Sequence, residues 1–87
     1  MKSLNNKFLF YSNSCLQCKY VLEKLKSFKV NNIILVDIDD NKNNDTINKL
    51  GIKEVPTVVI SDKNSIIAKR VLNSNSDIAW LLDTWLI

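Results

Sequence analysis

The two cysteines of this chain, Cys15 and Cys18, are the residues whose type and spacing suit them for chemistry. If a helix begins at Cys15, the i and i+3 side chains lie on one helix face with Cβ atoms about 5–6 Å apart. A disulfide needs Cβ atoms about 3.5–4.5 Å apart. A slight tightening of the first turn would therefore close or open the pair, as a reversible dithiol couple requires.

The two sulfurs are not expected to be equivalent. At a helix N-terminus the unpaired backbone N–H groups and the helix dipole stabilise an anion, which favours the thiolate form of Cys15. Lys19 adds a nearby positive charge, and the thiolate is the attacking form of a cysteine. We therefore predict that Cys15 is the nucleophile and that Cys18, one turn further along, is the resolving cysteine.

The composition sets the class of protein. A length of 87 residues, 46% of them hydrophobic and 24% charged, suits a single globular domain over residues 1–87. We read no signal peptide or membrane span, and two cysteines alone favour a reducing compartment, so we expect a cytoplasmic monomer. The net charge of +3 comes from scattered lysines and one arginine, and we therefore predict neither a nucleic-acid nor a membrane partner.

Hydrophobic patterning predicts the elements that position the cysteines. An apolar run at 7–11 predicts a buried central strand, and the small polar residues 12–14 offer a loop and an N-cap. An amphipathic helix then runs to about Lys29, and residues 33–38 form a second buried strand. A strand, helix and strand of this length predict a right-handed parallel crossover. That places Cys15 at the carboxyl end of a strand, where open α/β sheets hold their chemistry.

The second half of the chain predicts the rest of an α/β fold. Residues 45–50 read as a short helix that ends at Gly51 with a positive φ. Residues 57–71 read as a hairpin whose second strand lies at the sheet edge with its charges toward water, and Ser76 is a good N-cap for a last helix. The predicted order is β-α-β-α-β-β-α, a four-stranded mixed sheet with three helices.

Four segments carry a resemblance to a known family. They are Phe8-Leu9-Phe10-Tyr11, Cys15-Leu16-Gln17-Cys18-Lys19, Val36-Asp37-Ile38-Asp39 and Gly51-Ile52-Lys53-Glu54-Val55-Pro56-Thr57. In these motifs, and over nearly its whole length, the chain resembles the thioredoxin superfamily and within it the small thioredoxins and glutaredoxins. The resemblance implies a minimal thioredoxin fold. It also implies a cis Val55–Pro56 bond beside the cysteines, with Val55, Pro56 and Tyr11 as substrate-binding residues.

The resemblance also implies an activity. Cys15 would attack a protein disulfide and Cys18 would displace the reduced product, with no bound cofactor. Electrons would come from a thioredoxin reductase or from glutathione. The partners would be a reductase and disulfide-containing proteins, among which the family suggests ribonucleotide reductase.

The chain departs from thioredoxins in three places. Ser14 stands where that family usually has tryptophan, and Leu16-Gln17 replaces Gly-Pro. Leu9 stands six residues before the first cysteine, where thioredoxins hold a buried acid that assists proton transfer. Three other carboxylates are candidate proton acceptors: Asp37, Asp39 and Glu54.

Other functions stay open on the sequence. Glutaredoxins carry a Gly-Gly-x-Asp segment that helps hold glutathione, and here only Asp77 of that segment is present. A C-x-x-C pair is half of a Cys₄ zinc site, but the chain has no histidine and no second pair, so zinc would need two chains. A binding module with an inert pair is the remaining alternative, and Pro56 would then be an ordinary turn residue.

Overall fold

The computed structural model describes residues 6–27, 33–62, 66–73, 76–77 and 79–80. The elements whose bounds fall in these ranges are β1 (Asn6–Tyr11), α1 (Leu16–Ser27), β2 (Ile34–Asp37), α2 (Asn44–Leu50), β3 (Thr57–Ser61) and β4 (Ile66–Val71). These described elements comprise two α-helices where three were predicted, and they follow the predicted order as far as β4 except for a short 3-10 helix between β2 and α2. Of the predicted last helix, Ser76, Asp77, Ala79 and Trp80 are helical, and the remainder lies outside the described residues, as does the predicted end of α1 at Lys29.

The four strands form one mixed sheet in the order β2-β1-β3-β4. Strand β1 is parallel to β2 and antiparallel to β3, and β3 is antiparallel to β4. The prediction of a four-stranded mixed sheet with β1 at its centre is therefore confirmed. Because β1 ends at Tyr11, the loop that follows it carries Cys15 to the carboxyl end of the parallel pair.

Two apolar clusters hold the helices to the sheet. Leu9 packs with Val21 and Leu25 of α1. Its neighbour Phe10 packs in a second cluster, against which α2 places half-buried residues including Ile47. Since successive side chains of a strand point to opposite faces, the two clusters lie on opposite sides of the sheet. The apolar run of β1 thus positions α1 and, with it, the cysteine pair.

The prediction that residues 33–38 form a buried strand is wrong in one respect. Strand β2 lies at the edge of the sheet, and Ile34 and Leu35 remain 47% and 50% exposed. Only Val36 of this strand is buried. A β-branched run predicts a strand, but the number of its neighbours is decided by the order of the strands.

The polar segment after β2 is more regular than the sequence predicts. Residues Asn41–Asn43 form a 3-10 helix, because the Lys42 backbone N–H donates to Asp40 Oδ1 at 3.0 Å and so caps it. Asn43 Nδ2 donates to the Asp37 carbonyl at 2.8 Å. These two side-chain bonds tie the segment to the end of β2, beside the loop that holds the cysteines.

The helix α2 ends as predicted. Gly51 has φ +66° and its N–H donates to the Asn48 carbonyl at 3.2 Å. Lys69 of β4 also caps this end of α2, since its Nζ donates to the carbonyls of Leu50 at 3.1 Å and Gly51 at 2.9 Å. Lys69 is exposed, as expected for a charge on the edge strand, and it also binds these two carbonyls. This ammonium caps a helix whose C-terminal end leads into the Pro56 segment.

Candidate active site: the Cys15 and Cys18 pair

Cys15 is the N-cap of α1. Its carbonyl accepts from the Lys19 N–H at 3.2 Å, and its Sγ accepts from the Cys18 N–H at 3.0 Å. The helix itself begins at Leu16, so the expectations of a helix starting at Cys15 and of a cap in residues 12–14 are both wrong. The sulfur occupies the place that a serine or aspartate oxygen takes in most helix caps. It therefore faces the N–H groups and the positive end of the helix dipole.

The two thiols differ in exposure. Both cysteines are free, Cys15 is partly exposed, and Cys18 is fully buried, with 0% of its surface accessible. Burial, together with the hydrogen bond to the Cys15 thiol, raises the pKa of Cys18 to about 12, while a hydrogen bond from the Ser12 backbone acts in the opposite direction. Cys18 is thus held as a neutral thiol behind an accessible sulfur.

The Pro56 segment lies against Cys15. The Val55–Pro56 peptide bond is cis, which confirms the prediction for that bond. The Cys15 thiol donates to the Val55 carbonyl over 3.9 Å, and Pro56 is fully buried. The Thr57 hydroxyl donates to the Glu54 carbonyl at 2.5 Å. The structure therefore brings together Cys15 and Val55, which are 40 residues apart, and their roles toward a substrate stay predictions.

Tyr11 is the last residue of β1 and is half-buried. Its carbonyl accepts from the Ile38 N–H at 2.9 Å, which joins the two loops that follow the parallel strands. This is a structural role of the Tyr11 backbone. The predicted contact of its side chain with a substrate stays a prediction.

Leu9 fills the position that a buried acid holds in thioredoxins. Its side chain is completely buried, with 0% exposure, and it belongs to an apolar cluster. The buried members of that cluster are Leu9, Val21, Leu25, Val58, Ile60 and Leu72. A hydrocarbon side chain neither accepts nor donates a proton, so Leu9 does not have the acid function that the family position carries in thioredoxins.

Ser12 is a site residue that sequence reasoning treated only as loop. It is 6% exposed, and its hydroxyl donates to Asp39 Oδ2 at 2.8 Å. The Ser14 N–H donates to the Ser12 Oγ at 3.3 Å, and the Ser14 hydroxyl lies 3.0 Å from the same atom. The signal available in the sequence was a hydroxyl three residues before the first cysteine, directly after a buried strand.

The three predicted proton acceptors lie in different surroundings. Asp39 is the acceptor for Ser12, as described above. Asp37 accepts from the Asp39 N–H at 2.9 Å and from Asn13 Nδ2 at 3.3 Å, so it braces the same two loops. The Glu54 side chain is exposed and its residue contributes its carbonyl to Thr57. Asp37 and Asp39 thus both contact the loop between β1 and Cys15. The partner of Asp39, Ser12, is buried, whereas the partner of Asp37, Asn13, is exposed.

Asp77 is engaged within the chain. Arg70 Nη2 lies 2.8 Å from Asp77 Oδ1, and the Asn73 N–H donates to Asp77 Oδ2 at 2.8 Å. The guanidinium of Arg70 also lies 4.7 Å from the centre of the Trp80 ring. Both charges of β4 therefore have protein partners while their side chains remain exposed to water, as expected. Both Asp77 oxygens are used in holding the start of the last helix.

Two further features of the described ranges bear on function. In those ranges no group of three or more His, Cys, Asp and Glu side chains is arranged to hold a metal ion. The same ranges hold no helix with both the length and the apolar run that crossing a bilayer demands. Zinc bound by the cysteine pair would thus need ligands from a second chain.

Comparison with known proteins gives the family. A family model of thioredoxin matches residues 5–83. Thioredoxin O1 of Arabidopsis thaliana in the oxidised state is 25% identical, with a TM-score of 0.70 over 95% of this chain and 78% of that one. Thioredoxin f of spinach chloroplast is 19% identical, with a TM-score of 0.72 over 98% and 79%.

A third structure shares the fold. The thioredoxin of Malassezia sympodialis is 17% identical, with a TM-score of 0.75 over 95% of this chain and 76% of that one. A sequence comparison with curated proteins returned no match. Since the family model spans most of the chain, and the motifs it covers include the C-x-x-C pair at a strand-to-helix junction, the chain belongs to the thioredoxin family.

Proposed function

We propose that this protein is a dithiol oxidoreductase that reduces disulfide bonds in other proteins. The observation that carries the proposal is the asymmetry of the pair. The Cys15 sulfur is accessible and lies at a helix N-terminus, and the Cys18 thiol is buried one turn behind it. A nucleophile needs access and a stabilised anion, whereas a resolving thiol must wait in the protonated form until its target is bound.

The reaction has two exchanges. The Cys15 thiolate attacks one sulfur of the substrate disulfide, and the other substrate sulfur leaves with the electron pair and takes a proton. The Cys18 sulfur then attacks Cys15, the mixed disulfide breaks, and the second substrate thiol is released. The substrate gains two electrons and two protons, and the Cys15–Cys18 disulfide is formed.

Two surface features support a protein as the substrate. The Leu16 side chain, next to Cys15 in sequence, is 81% exposed. The Val55 carbonyl lies within 3.9 Å of the Cys15 sulfur, so an extended segment bound at Cys15 would pass along the Val55 backbone and pair with it like an added strand. Exposed apolar area beside the nucleophile and a backbone edge are both suited to a polypeptide.

The electron source and the partners are part of the proposal. The oxidised pair is returned to the dithiol by a thioredoxin reductase or by glutathione, and no bound cofactor takes part. Family membership favours the reductase, and the internal bonds of Asp77 argue against its use in holding glutathione. The proposed protein partners are enzymes that form a disulfide, such as ribonucleotide reductase. The proposed location of this protein is a reducing compartment such as the cytoplasm.

The test is reduction of insulin disulfides with two electron sources in parallel. One reaction contains NADPH and thioredoxin reductase, and the other contains glutathione, NADPH and glutathione reductase. We expect turnover with the first system and loss of turnover in Cys15→Ser. Turnover with glutathione alone would reassign the chain to the glutaredoxin activity.

Absence of turnover with both systems would favour either a dedicated reductase or the non-enzymatic alternatives. In a binding module the partner would still bind to Cys15→Ser, because the sulfur would have no chemical role. In an intersubunit metal site, zinc would copurify with the wild type and be lost in both Cys15→Ser and Cys18→Ser. Zinc analysis of the purified protein separates these two outcomes.

A further inference from the structure

We propose that Ser12 and Asp39 are positioning residues that hold the Cys15 sulfur at the N-terminus of α1. Asp39 acts on Cys15 through the Ser12 hydroxyl. The inference rests on the proposed function, because Cys15 is the nucleophile in that function. It deepens the function by making the reactivity of Cys15 depend on a carboxylate in the loop after β2.

The Ser12 hydroxyl uses its whole hydrogen-bonding capacity. Ser12 is only 6% exposed, and its hydroxyl donates its one proton to Asp39 Oδ2 at 2.8 Å. A hydroxyl has one proton and two lone pairs, so Ser12 Oγ must accept in its other two contacts. The Ser14 N–H donates to it at 3.3 Å, and the Ser14 hydroxyl, 3.0 Å away, is therefore a second donor. Asp39 thereby fixes the direction of both bonds from Ser14.

The backbone of Ser12 holds the residue that follows Ser14. The Ser12 carbonyl accepts from the Cys15 N–H at 3.2 Å. Two groups of one residue thus bind two consecutive residues and close the turn that leads into α1. At the end of this turn the Cys15 sulfur accepts from the Cys18 N–H at 3.0 Å. The place of the sulfur at the helix end therefore depends on the turn.

The bond between Ser12 and Asp39 ties this turn to the loop after β2. A second side-chain bond lies beside it, in which Asn13 Nδ2 donates to Asp37 Oδ2 over 3.3 Å at an exposed position. The Ser12 bond is shorter and its donor is buried. Because hydrogen bonds are stronger where water is excluded, the Ser12 bond is the stronger of the two. Its loss should loosen the turn even with Asn13 in place.

A loosened turn should lower the reactivity of Cys15. The N–H groups and the dipole of a helix stabilise a thiolate only within the first turn, so the sulfur must stay close to the helix end. A misplacement of about 1 Å in a reacting group can slow a reaction by about 100-fold. The carboxylate of Asp39 thus affects the nucleophile through two hydrogen-bonded residues and not by contact with the sulfur.

The test measures the reactivity of Cys15 alone. In a Cys18→Ala background Cys15 is the one remaining thiol of the chain, so its alkylation by iodoacetamide at a fixed neutral pH needs no substrate protein. We expect Ser12→Ala and Asp39→Ala each to slow alkylation by about tenfold. Asp39→Asn keeps an oxygen that accepts from Ser12 and should restore the rate. Because Asp39 is exposed, its variants carry the test even if Ser12→Ala fails to fold.

A double variant tests whether the two residues act together. If Asp39 acts through Ser12, the combined Ser12→Ala and Asp39→Ala variant should be no slower than either single variant. Asp40→Ala is the matched control. Asp40 is exposed and adjacent to Asp39, and its carboxylate accepts from the Lys42 N–H at 3.0 Å. Its replacement removes a charge and a capping bond and should leave alkylation unchanged.

Hydrogen exchange followed by NMR locates the change in the structure. The amides of residues 15 and 18 donate to the Ser12 carbonyl and to the Cys15 sulfur. We expect both amides to exchange faster in Asp39→Ala and at the unchanged rate in Asp40→Ala. A general loss of stability would instead speed exchange along all of α1.

Four results would overturn the positioning role. They are unchanged alkylation in Asp39→Ala, additive slowing in the double variant, equal slowing in Asp40→Ala, and a slow Asp39→Asn, which would assign the effect to charge. Insulin reduction by the wild type is measured separately. A wild type that fails to reduce insulin, with alkylation that still depends on Asp39, removes only the proposed function. An active wild type with unaffected alkylation in Asp39→Ala removes only the positioning role.

Discussion

The Cys15 sulfur accepts the backbone N–H of Cys18 at 3.0 Å, so the first cysteine caps the helix that carries the second. One atom thus has two functions, since the N–H that completes the helix end also lies where negative charge would develop on Cys15. The reactivity of Cys15 and the stability of α1 thus depend on the same sulfur. A substitution that removes the sulfur but keeps a capping side chain can separate the two effects.

Serine and alanine at position 15 should have equal effects on activity and different effects on stability. Cys15→Ser and Cys15→Ala both remove the proposed nucleophile, and insulin reduction should be abolished. Serine is a good N-cap, whereas alanine leaves the Cys18 N–H without its acceptor and should lower the free energy of unfolding by about 1 kcal/mol relative to serine. Urea unfolding under reducing conditions measures the difference, and equal stabilities would contradict the cap.

The buried thiol predicts a loss of stability at alkaline pH. Burial raises the pKa of Cys18 from an ordinary 9.0 to about 12. Below about pH 9 the thiol is protonated in both states, and between about pH 9 and 12 the unfolded chain binds fewer protons. The free energy of unfolding should therefore fall as the pH rises through this window.

Cys18→Ala is the control for this pH effect. It removes the titrating thiol but leaves the lysines, tyrosines and Cys15 unchanged. Denaturant unfolding of the reduced proteins at about pH 8 and pH 10 should show a smaller loss for Cys18→Ala than for the wild type. Parallel losses in the two proteins would mean that the alkaline effect comes from other groups.

Gly51 should be sensitive to substitution for a conformational reason. Its φ is +66°, and a Cβ built there would lie 3.5 Å from Lys69 Nζ, which is ordinary contact. The cost of Gly51→Ala is thus the left-handed backbone and not a clash, and we expect a loss of about 1 kcal/mol. Gly51→Asn should lose less, because asparagine tolerates this region. Thermal or urea unfolding gives both values.

The ammonium of Lys69 should stabilise the end of α2. Lys69→Met keeps most of the aliphatic chain and removes both bonds to the Leu50 and Gly51 carbonyls. Because Lys69 is exposed, we expect a loss of only about 1 kcal/mol, together with faster hydrogen exchange at the last amides of α2. Lys53→Met, at another exposed lysine, is the matched control. Unchanged exchange at Gly51 would contradict the cap.

Leu16 should affect protein substrates more than small ones. Its side chain is 81% exposed, so Leu16→Ala should cost little stability. If the apolar side chain is covered when a protein disulfide binds, KM for insulin should rise by up to about tenfold. The rate with a small aromatic disulfide should be unchanged. Equal effects on both substrates would show that Leu16 acts on the sulfur chemistry and not on docking.

The sequence by itself determined the features that depend on local chemistry. The spacing of Cys15 and Cys18 places both at one helix end, and the apolar stripe of α1 orients that helix against the sheet. The glycine at position 51 predicted a left-handed backbone there, because helices commonly end at a glycine in that conformation. The hairpin of β3 and β4 likewise followed from turn residues between two apolar runs.

The tertiary structure decided what depends on distant neighbours. Strand β2 lies at one edge of the sheet because β3, and not another strand, pairs with the other side of β1. The sequence of β2 alone does not indicate this strand order. The bond between Ser12 and Asp39 joins residues 27 apart. The burial of Cys18, and hence its raised pKa, depends on packing around α1. A residue type specifies which bonds a side chain can form, and the folded chain decides which partner comes within reach.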